Sequence, residues 1–250
     1  MHLSQIARYP VKSLSMETLT ACELTPGQGL PHDRQWAFAR PDGQAVRSPA
    51  WQSKAHFLVL VREYALAQIN SHFDDNTGRL SLSAPGGLHA EGLLNTSAGR
   101  TAIAHAVAKH LGLGQDGVPT LVKAQDIGYF DTTKGPVSLL NMASLRAVEN
   151  VAGVPLDPAR FRMNLLVEDL EAGVETLWPG KHIQIGDAVL EITENTGRCK
   201  ATHVNPETGV PDVKVLQALK KHFGHTQMGV YGVVRKGGPI YTGAPIRVLD

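Results

Sequence analysis

The 250-residue chain is poor in cysteine, in aromatic residues, in long apolar runs and in charge of either excess sign. Each shortage excludes something. Two thiols, Cys22 and Cys199, cannot build a disulfide framework, a four-thiolate zinc site or a self-contained iron–sulfur cluster, which needs four cysteine ligands. With 24 Lys and Arg against 23 Asp and Glu, no global field draws the chain to nucleic acid or to an anionic membrane, so neither is expected as a partner. The longest apolar run, Phe57 to Val61, has five residues, against the ~20 needed to cross a bilayer. The first thirty residues lack the basic start and apolar stretch of a secretory signal, and a cytoplasmic protein is expected. There is no GxxxxGK[ST] phosphate loop and no GxSxG nucleophile elbow. Gly112-x-Gly114-x-x-Gly117 has dinucleotide-binding spacing, but a helical pattern precedes it and Pro119 follows it. That order is the reverse of what a pyrophosphate at a helix N-terminus needs, so the segment reads as a linker.

Turn formers are abundant, with 25 Gly and 15 Pro. Between them run short alternating segments of strand character: Ile6 to Tyr9, Leu19 to Leu24, Trp36 with Phe38, Phe57 to Val61, Leu80 with Leu82, and Asn164 to Glu168. Val230 to Arg235 and Ile246 to Leu249 follow the same pattern. Ile183, Ile185 and Val189 flank a Gly186-Asp187 turn as two hairpin arms. Three segments carry helix start and stop signals: Thr96 or Ser97 through Leu111 with Gly112 as the stop, Asn141 through Val148 to Gly153, and Asp212 through Phe223 to Gly224. The pattern predicts an α+β, β-rich protein. An N-terminal β-rich domain over 1–115 precedes a C-terminal β-barrel-like domain over 116–250 with two of the short helices.

Eleven histidines are present but are badly spaced for a metal: His222 and His225 read as a solvated pair, and Cys199 with His203 would make a two-ligand corner only if locally helical, against which Thr196-Gly197 and Pro206 argue. Cys22, in the alternating TLTACEL, fits a core position. Cys199 lies in ENTGRCKATHVNPETG, between Arg198 and Lys200 and among turn residues. Neighbouring cations favour a thiolate, the form that acts as nucleophile or metal ligand. A hydrolase with His203 as base would need that imidazole at the sulfur.

Several motifs carry a family resemblance that spans nearly the whole chain. Tyr9-Pro10-Val11-Lys12-Ser13 resembles a YPVKS signature, and Gly29-Leu30-Pro31-His32-Asp33-Arg34-Gln35-Trp36 resembles GLxxDRxW. Arg160-Phe161-Arg162-Met163-Asn164-Leu165 resembles RFRPN, with Met163 in the place of proline, and Trp178-Pro179-Gly180 follows. Then come Arg198-Cys199, Asn205-Pro206-Glu207-Thr208-Gly209 and Gly229-Val230-Tyr231. In this order they resemble MOSC-domain proteins with an N-terminal β-barrel extension, the group of the mitochondrial amidoxime reducing component and its bacterial relatives.

The resemblance implies an N-terminal MOSC β-barrel domain followed by a MOSC domain, and a molybdenum cofactor, a pterin dithiolene with a phosphate tail. It makes Cys199 the catalytic metal ligand, a role that suits soft thiolate sulfur. It makes Lys12, Ser13, Arg34, Arg162, Arg198 and Tyr231 the holders of pterin and phosphate, with Asn164 supporting them. Guanidinium forks and an ammonium neutralise phosphate, while hydroxyl and amide groups read a polar pterin edge. The segment Lys134-Gly135-Pro136 is expected to approach the same place. The implied activity is reduction of N-hydroxylated small molecules such as amidoximes, N-hydroxylated base analogues or hydroxylamines. Two cysteines leave no room for a fused iron–sulfur domain, so electrons are expected from a separate ferredoxin-, flavodoxin- or cytochrome-type protein. Pyridoxal phosphate binding and detoxification travel with the family, although no pyridoxal-dependent sulfurase domain is expected here. The alternative is a non-catalytic carrier of persulfide sulfur or of the cofactor.

Overall fold

In a computed structural model, which describes residues 1–48, 50–125 and 127–249, strands dominate and three α-helices lie between them. The N-terminal part of the chain contributes β1 (His2–Arg8), β2 (Glu17–Leu19), β3 (Ala21–Leu24), β4 (Trp36–Ala39), β5 (Asn70–Asp74), β6 (Arg79–Ala84) and β7 (Leu88–Leu93). Helix α1 (Ser97–His110) and β8 (Thr120–Lys123) follow. The remainder holds β9 (Val137–Asn141), α2 (Met142–Ala152), β10 (Leu165–Glu168), β11 (His182–Ile185), β12 (Ala188–Gly197), α3 (Val215–Phe223), β13 (Gln227–Lys236), β14 (Gly238–Tyr241) and β15 (Ile246–Val248).

Eight of these strands form one sheet in the order β15-β11-β12-β13-β9-β10-β1-β2. Most neighbours are antiparallel; β9 and β10 are parallel and are joined through α2, as a parallel pair requires. Register shifts between β12 and β13 and between β1 and β10 bend the sheet into a half-barrel. The β3–β14 pair covers its open side, with Leu24 and Ile240 packed into the same core as Leu3, Ile6, Val137, Leu139, Leu165, Ile183 and Val230. Strand β1 therefore belongs to the large sheet, although it lies far in sequence from the other central strands.

The second core lies under the β4–β8 pair and the β5-β6-β7 sheet, where α1 brings Ile103 and Val107 against Trp36, Phe38, Leu80 and Leu121. Gly99 allows this approach, because a Cβ there would collide with the Leu93 carbonyl oxygen. A third cluster packs α2 and α3 together through Leu145, Val148, Val215 and Leu219.

The helix starts show how local chemistry is used. The Thr96 hydroxyl accepts from Gly99 N at 3.0 Å, and Asn141 Oδ1 accepts from Ala143 N at 2.9 Å, as the N-cap signals predict. Gly153 and Gly224 close α2 and α3 in the left-handed conformation. Two expectations fail. Helix α3 begins at Val215 with Lys214 at its cap position, because the Asp212 carboxylate is taken by Arg160 and Asn205. Phe57 to Val61 makes one isolated bridge, Phe57 to Ala39, and then turns away; its apolar side chains pack as a loop between two cores. No helix among the described residues is long and apolar enough to cross a membrane.

Candidate functional site

The eight residues singled out by motif are scattered over almost the whole sequence, yet all eight line one cavity of about 90 Å³ that opens to solvent. They arrive on several different elements. Lys12 and Ser13 follow β1, where Lys12 N donates to the Trp36 carbonyl at 2.8 Å. Arg34 stands in the turn before β4, its N–H donating to the Tyr9 carbonyl at 2.7 Å. Arg162 ends the 3-10 turn Pro158–Phe161, and Asn164 directly precedes β10. Arg198 and Cys199 follow β12, and Tyr231 lies on β13 opposite Ser138 of β9.

Three of these residues have left-handed backbones, at φ 72° for Ser13, 49° for Arg34 and 53° for Arg162. For residues with a Cβ this conformation costs about 1–3 kcal/mol each. Strain held at three lining positions aims side chains that an ordinary turn would direct elsewhere. Gly135 belongs to the same construction: a Cβ on it would meet Tyr231 Cβ at 2.8 Å. Of the segment Lys134-Gly135-Pro136, Pro136 lines the cavity, whereas Lys134 faces solvent and pairs with Glu194 at 3.5 Å.

Behind the lining lies a buried polar keystone. Asp33 Oδ1 accepts from Tyr9 N at 2.6 Å, while Oδ2 accepts from Asn164 Nδ2 at 2.8 Å and from the Arg34 guanidinium. Asn164 Oδ1 in turn accepts from the Ser138 hydroxyl at 2.7 Å and the Ser138 amide at 3.2 Å, and Nδ2 also reaches the Ala7 carbonyl at 3.1 Å. The Asn164 side chain is thus committed to joining β1, β9 and Arg34. The Tyr9 ring is contacted by two cations, with the guanidinium carbons of Arg34 and Arg162 at 4.5 and 4.3 Å from its centre.

Among the described residues, the cavity wall carries Lys12, Arg34, Lys54, Arg160, Arg162 and Arg198 against a single carboxylate, Asp131. Desolvation depresses Lys12, and Asp131 opposes that depression by accepting from its ammonium, which also donates to the Tyr129 carbonyl at 2.8 Å. Burial also disfavours ionised Asp131, but the Lys12 charge and hydrogen bond prevail and hold its carboxyl down at about 2. Desolvation lowers Arg34 as well, and there the Asp33 charge overcomes it. Arg162 and Arg198 have no carboxylate hydrogen-bonded to them among the described residues. Burial, reinforced by the Arg34 charge, brings Arg162 down to about 10, and burial lowers Arg198; Arg162 nevertheless remains a cation at neutral pH. Arg162 Nη1 donates to the Leu14 carbonyl at 2.7 Å, and Arg198 Nη2 donates to the Phe161 carbonyl. Among the described residues, nothing hydrogen-bonds the buried Arg162 Nη2 and Arg198 Nε. Such orphaned donors on desolvated cations cost free energy unless an anion meets them.

Cys199 is a half-buried free thiol at this wall, its carbonyl accepting from Thr202 N and Oγ1 at 3.1 and 2.9 Å. Cys22 packs beside the large core, and burial pushes its thiol up to about 11. No three of His, Cys, Asp or Glu among the described residues come together as a metal site. A metal at Cys199 must therefore bring further ligands with it. His203 points towards α3 instead, Nε2 accepting from Leu216 N at 3.3 Å, and it is absent from the cavity wall. A base at the sulfur, which a cysteine hydrolase requires, is not provided by this residue.

Sequence reasoning missed Asp33, Tyr9, Ser138 and Arg160 as parts of the site. Arg160 grips Asp212 at 2.7 and 2.8 Å and the His203 carbonyl at 3.1 Å, tying the 3-10 turn of Arg162 to the loop beyond Cys199. All four lie inside the quoted motifs or on β9, but their partners are distant in sequence, and only tertiary contact reveals them.

A family model of the MOSC domain matches residues 110–247, and one of the MOSC N-terminal beta barrel domain matches 1–119. The chain is 34% identical over 136 residues to a Danio rerio protein named mitochondrial amidoxime-reducing component 1, covering 51% of this chain and 41% of that one. The Homo sapiens protein of the same name is 29% identical over 135 residues, 49% of this chain and 39% of its own. The match thus spans less than half the length of these relatives. Among solved structures, the YUAD protein from Bacillus subtilis superposes with a TM-score of 0.50 at 15% identity, over 98% of this chain and 93% of that one, and so shares the fold.

Proposed function

Because the chain belongs to the MOSC domain family, we propose that its cation-lined cavity holds a molybdenum cofactor and that the protein reduces N-hydroxylated compounds. The carrying observation is the pair of orphaned donors, Arg162 Nη2 and Arg198 Nε, on desolvated cations beside a free thiol. That donor set fits a phosphate-bearing pterin whose metal accepts one more sulfur ligand. Arg162, Arg198 and Lys12 would hold the anionic end, Ser13 and Tyr231 would offer hydroxyls to the pterin, and Cys199 would ligate the metal. Arg34 and Asn164 are the firmest part of the cradle, since Asp33 and Ser138 fix both. We place the division between the two domains at residues 115 and 116, in the connector between α1 and β8 and inside the overlap of the two family matches.

The chemistry supplied by the bound cofactor is a two-electron removal of oxygen from nitrogen, with two protons taken up and water released. The chain's own part is to bind, orient and exclude water. Val59, Leu60, Val61 and Phe130 line the cavity beside the cations and give an apolar body of substrate a dry surface. The two cysteines present cannot hold an iron–sulfur cluster, and the electrons are assigned to a separate donor protein of ferredoxin, flavodoxin or cytochrome type.

The test is molybdenum content and benzamidoxime reduction with an artificial reductant, comparing wild type with Cys199→Ala after expression in a cofactor-competent host. Loss of metal from the variant by about a hundredfold or more is expected, because even outer-shell changes cost roughly 10–100-fold. Equal molybdenum in both would remove Cys199 as a metal ligand. A persulfide on Cys199 in molybdenum-free wild type would identify a sulfur carrier instead.

A further inference from the structure

Two guanidiniums of the cavity wall, those of Arg34 and Arg162, share one uncharged aromatic neighbour, Tyr9. Arg34 and Arg162 lie near enough for the charge of one to disfavour the other, and Arg34 Nη2 donates to the Arg162 carbonyl at 2.6 Å. Both have left-handed backbones, and both place their guanidinium carbons within 4.5 Å of the Tyr9 ring centre. Tyr9 is itself fixed at every polar atom. Its N–H donates to Asp33, its carbonyl accepts from Arg34 N, and its hydroxyl donates to the Met163 carbonyl at 3.4 Å. The residue is 1% exposed.

An aromatic face attracts cations through its quadrupole, most strongly when both are desolvated. We propose that Tyr9 is the positioning residue of the anion cradle: its ring holds the Arg34 and Arg162 guanidiniums together against their repulsion, aligned for one anionic group. Arg34 keeps Asp33 as a counter-charge, whereas the Arg162 guanidinium is held by a carbonyl and the ring, so the ring matters most for Arg162. This rests on the reading of the cavity as an anion site.

The experiment measures binding of inorganic phosphate by calorimetry to the full chain made without cofactor, across a graded series at position 9. Tyr9→Phe keeps the ring and is expected to bind within about threefold of wild type. Replacement by mono-, di- and trifluorinated phenylalanine preserves shape while draining the quadrupole, and affinity is expected to fall stepwise to about tenfold at the trifluoro ring. Tyr9→Leu should match or exceed that loss. A residue that only fills space would leave the fluorinated series flat, and a flat series with wild-type phosphate binding intact overturns the proposal alone. Failure of wild type itself to bind phosphate overturns the anion-site reading and this inference with it. Because the fluorinated rings are nearly isosteric, the series stays informative even where Tyr9→Leu fails to fold.

Discussion

Arg8 is buried and Arg162 half-buried beside the large sheet, and the two arginines are treated in opposite ways. Arg8 donates to Glu17 and Asp75, each at 2.8 Å, and to the Phe73 carbonyl. Desolvation lowers it, but the two carboxylates outweigh burial and raise it above its ordinary value. Arg162 meets a carbonyl and an aromatic face, has one terminal nitrogen without a partner among the described residues, and is brought down to about 10. A cation neutralised within the fold fastens pieces of chain together. A half-buried cation with no carboxylate on it among the described residues keeps its charge directed at the cavity.

The contrast can be broken most forcefully at Arg8. Arg8→Met leaves Glu17 and Asp75 without their cation, and removal of one partner from a buried pair costs about 3–5 kcal/mol. Partial exposure of Asp75 places the expected loss at the low end of that range. Denaturant unfolding should show it, while phosphate affinity of the remaining folded protein stays within a few-fold. Arg162→Met should do the reverse. It removes an uncompensated desolvated charge, so stability is expected to hold or rise, and phosphate affinity should fall by about tenfold to a hundredfold, the range of a charge-assisted hydrogen bond. Equal destabilisation by both substitutions would erase the distinction.

The smallest effect is expected at Asp131, the one carboxylate on the cavity wall among the described residues. Asp131 is held at about 2 in the folded chain against about 3.9 when unfolded, so its ionised form favours folding. That contribution is complete above about pH 4 and is lost as pH falls towards about 2. Its side chain is 58% exposed, and solvent screening keeps the amount small. The difference in thermal midpoint between wild type and Asp131→Asn should therefore narrow across that window. A difference that stays constant from about pH 5 to about pH 2 would show that Lys12 does not depend on this charge.

Local signals are legible wherever one residue settles the matter. Thr96, Asn141, Gly153 and Gly224 mark helix ends because capping needs only the adjacent backbone. The Asp212 cap misleads for the complementary reason: its carboxylate satisfies a distant guanidinium, and nothing near it in sequence announces Arg160 as the competitor. Phe57 to Val61 has strand composition without a strand to pair with beyond Phe57, so its apolar residues serve packing alone. Within the site, the motif residues are recognisable as a family pattern, whereas the Asp33–Asn164–Ser138 connection is a contact among three parts of the fold. Side-chain identity says that Asp33 can accept hydrogen bonds; only the pairing of β1 with β10 and of β10 with β9 decides which ones.

The position of β1 inside the large sheet also sets a timetable for synthesis. Lys12 and Ser13 leave the ribosome long before β10, the inner neighbour that β1 must wait for, and Tyr231 arrives later still on β13. Pairings this distant along the chain form slowly, because the intervening segment loses freedom before the contacts reward it. The cavity therefore has no complete wall until β13 has emerged, and whatever ligand it takes is loaded only after that point.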